Sequence, residues 1–107
     1  MMANKQQHSN RLIPSEQDDI LLAYTVEENY LILCRNHLTV TGERLIPPTS
    51  MNNDIMQWRT LRVRHKQGDL RHTEAEMKSV RAIAQWTVDV NHALCQQSNT
   101  PKIEWGE

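Results

Sequence analysis

The sequence predicts a mainly α fold: a small three-helix domain with a long C-terminal helix and flexible termini. Three observations carry this. Apolar residues recur at three- and four-residue steps in three separate stretches, the signature of helices with one buried face. Helix-start signals precede the first and third stretch, Ser15-x-x-Asp18 and Thr73-Glu-Ala-Glu76. Gly42, Pro47-Pro48 and Gly68 punctuate the chain between the stretches.

Residues 1–14 are polar and amide-rich, with no apolar period, and read as a disordered arm. A single helical domain follows over 15–97. Its first helix is expected from 15 to 37. Ser15 can serve as N-cap, and Glu16, Asp18 and Asp19 place anions in the first turn, where the helix dipole favours them. Leu22, Val26, Tyr30 and Leu33 form the stripe, widened by Ile20, Tyr24 and Leu31. A competing reading makes two strands, 20–26 and 30–34, hinged at Glu27-Glu28-Asn29, because β-branched residues and Tyr suit strands. Leu38-Thr39-Val40-Thr41 alternates, which predicts a short extended segment near 38–41 within a connection over 38–49.

The second helix starts near Ser50, with Met51, Ile55, Trp58 and Leu61 on its apolar side. Gly68 is its expected terminator. The third runs from 73 to 97, about 37 Å at 1.5 Å per residue. Its stripe, Met77, Val80, Ile83, Ala84, Thr87, Val90 and Leu94, is broad. A stripe wider than one partner needs predicts a homodimer packed along this helix. The core is drawn from the apolar residues of these three stripes. Residues 98–107 form a flexible tail, since Pro101 and Gly106 stop regular structure. Trp105 in that tail either folds back on the core or anchors a partner, Trp being enriched at binding hot spots.

Composition narrows the function. A chain of 107 residues is one domain. Hydrophobic residues make up 38%, and Phe is absent, so the core is thin. A net charge of −1 argues for folding rather than disorder. No apolar run approaches the ~18–20 residues that span a bilayer. The N-terminus is polar, without the apolar stretch of a secretory signal. Cys34 and Cys95 alone make no disulfide framework. These features predict a cytoplasmic protein with reduced thiols and no membrane contact.

Catalytic motifs are missing. The glycines stand alone, with no phosphate-cradling loop, no Gly-x-Ser-x-Gly and no Ser-x-x-Lys. Asp69 with Glu76-Met77-Lys78 imitates a metal-dependent nuclease, but Glu76 and Lys78 diverge by about 200° on a helix. The sequence therefore predicts no enzyme, no catalytic residue and no cofactor. Cys34-x-x-His37 and His92-x-x-Cys95 are a tetrahedral zinc set in principle, provided that helices one and three run parallel. The spacings are not those of zinc sites, and Cys is commonly a small buried hydrophobe, so no metal is expected.

The strongest local signal is basic. Arg59, Arg62, Arg64, Lys66 and Arg71 face one acid, Asp69, between 59 and 71. Residues 54–81 hold seven cations and four anions, whereas 1–53 and 82–107 are each net negative. Arg59, Arg62 and Lys66 share a helix face away from Ile55, Trp58 and Leu61 and are expected to stay in water. Either the row is a solvated face paired with nearby acids, or it contacts phosphates. A helix-turn-helix with Gly68 in the turn fits poorly, because Arg64 stands where a small residue belongs. The expected function is a small non-enzymatic regulatory or adaptor protein that binds another protein. The alternative is a nucleic-acid-binding regulator using 59–72. In both, the expected contact residues are Arg59, Arg62, Arg64, Lys66, Arg71 and Trp105.

Overall fold

A capping box opens the third helix as predicted. The Glu76 backbone N–H donates to Thr73 Oγ1 at 3.0 Å, and the Thr73 N–H donates to Glu76 Oε1 at 2.9 Å. In the computed structural model, which describes residues 10–97, this helix is α3, Glu74–Gln97. It follows α1, Gln17–Thr41, and α2, Asn52–Lys66, the latter entered through a short 3₁₀ turn at Thr49–Met51. Two short strands, β1 (Ile13–Pro14) and β2 (Arg71–His72), pair antiparallel, with Ile13 opposite His72. The fold is therefore mainly helical, as predicted, with a two-stranded bridge that the sequence did not announce.

That bridge sets the architecture. It joins the segments leading into α1 and α3, so those two helices start at the same end and run parallel. Ala23 and Val26 from the first half of α1 pack with Met77, Val80 and Ile83 from the first half of α3. Leu33 and Leu94 meet in the second halves. The shorter α2 supplies Trp58 and Leu61 to the first cluster. Beyond its reach, Val40, Leu45, Trp86 and Val90 close the second. The stripes predicted from sequence supply most of both clusters; Ala23, Ile32, Val40, Leu45 and Trp86 join from outside them, and Tyr24 and Leu31, expected to widen the first stripe, lie exposed on the far side of α1. The α3 stripe is broad because it serves α1 and α2 together, so the chain itself covers the surface that suggested a homodimer along this helix.

Three local expectations are corrected. First, Ile13 and Pro14, read as the end of a polar arm, are held in the bridge. Second, Ser15 does not cap α1. Its N–H donates to Leu70 O at 2.8 Å and its hydroxyl meets His72 Nδ1 at 2.7 Å. The cap moves one residue on, where Glu16 and Asp19 form the box. Third, residues 38–41 are helical. The Thr39 and Thr41 hydroxyls donate to the carbonyls of Arg35 and His37, which quiets their competition with the helix. Val40 packs into the second cluster, and Gly42, at φ 79°, closes the helix in the left-handed region. An unbroken α1 also replaces the two-strand reading of 20–34.

Gly68 terminates α2 as expected. Its N–H donates to His65 O, and the next N–H, of Asp69, donates to Arg64 O. This is a Schellman closure, and the φ of 93° at Gly68 makes it available. Among the described residues no helix is long and apolar enough to cross a membrane.

Candidate functional site

Most cations of the basic stretch are paired with carboxylates of the chain, two of them at the exposed surface. Arg64 makes a two-pronged pair with Glu76, both contacts at 2.7 Å, and donates to Arg71 O at 3.0 Å. Burial alone pushes the Glu76 carboxyl up. The Arg64 guanidinium and the Thr73 N–H outweigh it and hold the group below the ordinary carboxylate value. Arg62 pairs with Glu27 of α1, and its guanidinium lies 5.2 Å from the centre of the Trp58 ring. Lys66 reaches the same carboxylate at 3.8 Å. Arg71 clamps Asp69 through two hydrogen bonds of 2.8 Å, and these hold the Asp69 carboxyl down.

Two expectations change accordingly. Arg62 turns toward α1 and pairs with Glu27, whereas Lys66 stays largely in water, as expected, 3.8 Å from the same carboxylate. A helix-turn-helix reading would present α3 to phosphate, yet its first turn carries Glu74 and Glu76. Among the described residues, Arg59 is the member of the stretch without a carboxylate partner. Trp105 lies outside the described residues.

Arg59 borders a different feature. The connection after α1 lies against α2 and leaves a groove of about 460 Å³ between them. Tyr30, Ile46, Pro47, Ile55, Met56 and Trp58 line it, and Asn52 and Arg59 supply its polar part. Tyr30 and Trp58 meet edge to face, with ring centres 5.4 Å apart, which fixes two aromatic walls. Ile46 is 80% exposed and Met56 59%. Sequence reading passed over both residues. Met56 falls off the α2 stripe, and Ile46 before Pro47-Pro48 lies in no periodic segment, so only the placement of the connection brings them together.

Two further clusters carry chemistry. Ser15 Oγ sits 2.7 Å from His72 Nδ1 and 3.4 Å from His65 Nε2. The carboxylate that feels the His72 ring, that of Glu76, is engaged by Arg64 and Thr73. The arrangement ties the start of α1 to α2 and β2. The Cys34, His37, His92 and Cys95 set does not assemble, although α1 and α3 do run parallel. His37 Nδ1 meets Glu43 O at 3.0 Å, and His92 faces Gln96. Among the described residues no three potential ligands come together around a metal-sized space. Both thiols are free, and burial pushes that of Cys34 up against the opposing hydrogen bond from Tyr30.

Comparison of the chain with protein-family models, with curated proteins and with solved structures gave no match.

Proposed function

We propose that this chain is a small non-enzymatic regulatory or adaptor protein that binds another protein in the groove between residues 46–47 and α2. One observation carries the reading: Ile46 and Met56 are held largely in water beside Arg59, which has no carboxylate partner among the described residues. Large apolar side chains kept exposed next to polar groups mark interaction surfaces. Met adapts its shape to a partner, and Arg is enriched at interfaces. The complementary ligand is a short protein segment with an apolar side chain next to an acidic one. The nucleic-acid reading draws on the same stretch of α2 and is weaker, because Arg62, Arg64, Lys66 and Arg71 already answer to carboxylates of this chain.

A photoreactive amino acid at position 56 tests this in cells, with one at the exposed position 81 of α3 as control. A protein adduct is expected at 56 alone, surviving nuclease and lost in the Arg59→Glu background. Equal adducts at both positions, nuclease-sensitive adducts, or none at 56 would overturn the proposal.

A further inference from the structure

The inward face of α1 buries Ala23, Val26, Asn29 and Leu33. On the opposite side Leu21, Tyr24, Leu31 and Leu38 each keep half or more of their surface in water. Together with Glu28 and Arg35 they recur at steps of three, four, three, four and three residues, the seven-residue repeat of a coiled-coil seam. Among the described residues no element packs over this seam, which Lys66 of α2 borders at Tyr24, Glu28 and Leu31, and it is separate from the groove at 46–59.

The two charged seam positions identify the occupant. Glu28 and Arg35 are exposed, and neither has an ion-pair partner among the described residues. They lie seven residues apart, about 10 Å along the axis, too far to neutralise each other. They also flank Leu31, one on each side. Charged residues within a seam select orientation and partner. A parallel pair of α1 helices would set Glu28 on Glu28 and Arg35 on Arg35, like charges in a closing interface. An antiparallel pair about a two-fold axis near Leu31 sets Glu28 of each copy beside Arg35 of the other. It also brings Leu31 to Leu31 and Tyr24 toward Leu38. A two-fold interface uses the same patch twice and must complement itself. Opposite charges on either side of a central leucine satisfy that condition.

We infer that a second copy of this chain covers the outward face of α1, packed antiparallel to it. Sedimentation equilibrium from micromolar to millimolar concentration tests the assignment, with circular dichroism to verify folding. The parent is expected to approach twice the chain mass. Leu31→Glu, Glu28→Arg and Arg35→Glu should each return to one chain mass with helicity unchanged. The double swap Glu28→Arg/Arg35→Glu should restore the dimer, and Met56→Glu in the groove should not disturb it. A parent that stays at one chain mass, a dimer indifferent to the α1 substitutions, or single charge swaps without effect would overturn the assignment. Failure here leaves the groove reading to its own crosslinking test.

Discussion

Arg64 and Arg71 are both arginines with two hydrogen bonds to one carboxylate, yet they differ sharply in consequence. The Arg64–Glu76 pair is shielded, with the Glu76 side chain 3% exposed. Removing one partner strands a buried charge, which costs about 3–5 kcal/mol. Arg64→Met should therefore lower the melting temperature strongly, and Arg64→Met/Glu76→Gln, which removes the stranded charge and keeps an acceptor for the Thr73 N–H, should recover part of the loss. The Arg71–Asp69 pair stands in solvent, so Arg71→Gln should leave the melt unchanged. The pH dependence follows from the same residue. The Glu76 carboxyl is held below its ordinary value, so its contribution is full at neutral pH and is lost as pH falls through the folded value. Thermal melts from neutral to acid pH should show that decline in the parent, and Glu76→Gln should lack this part of it.

At the scale of elements, α2 is anchored by one ring and closed by one glycine. Trp58 is buried between Tyr30 and Arg62. Trp58→Ala should cost about 3–5 kcal/mol in denaturant unfolding. Its Nε1–H is buried without an acceptor among the described residues, so Trp58→Phe keeps the packing, removes an unsatisfied donor and should cost far less. Gly68 has open space around a built Cβ, so substitution there strains only the backbone. Gly68→Ala should cost about 1–2 kcal/mol, the penalty of a left-handed alanine, read from the same unfolding curves.

For the whole molecule, charge balance and surface apolarity point the same way. Of the five cations between 59 and 71, four are paired within the chain, and the acidic start of α3 lies beside them. The full chain should leave duplex DNA unretarded in a gel at low salt, where attraction between charges is strongest. A mobility shift relieved by added salt would favour the phosphate reading instead. Apolar surface, in contrast, stays open at the groove and along α1, which is where a protein partner and a second copy would each dock.

Sequence alone sufficed for whatever is decided within a turn or two of chain. The Thr73–Glu76 cap, the Gly68 stop and the main line of each buried stripe, though not the exposure of Tyr24 and Leu31, were legible because capping and helical periodicity act over three to seven residues. Features set by distant partners were not. Ser15 abandons its capping role because His72, fifty-seven residues away, offers a hydrogen bond. Residues 38–41 look like a strand by alternation, yet Val40 finds an apolar cluster that makes continuing the helix favourable. Which acid would answer the basic row was not legible either, until α1 brought Glu27 against Arg62 and within reach of Lys66. The groove needs the connection folded onto α2, and the α1 seam becomes visible only once the core has taken the other face. Burial and ion pairing depend on which surfaces the tertiary fold brings together, and spacing along one helix cannot say which of its faces will be covered.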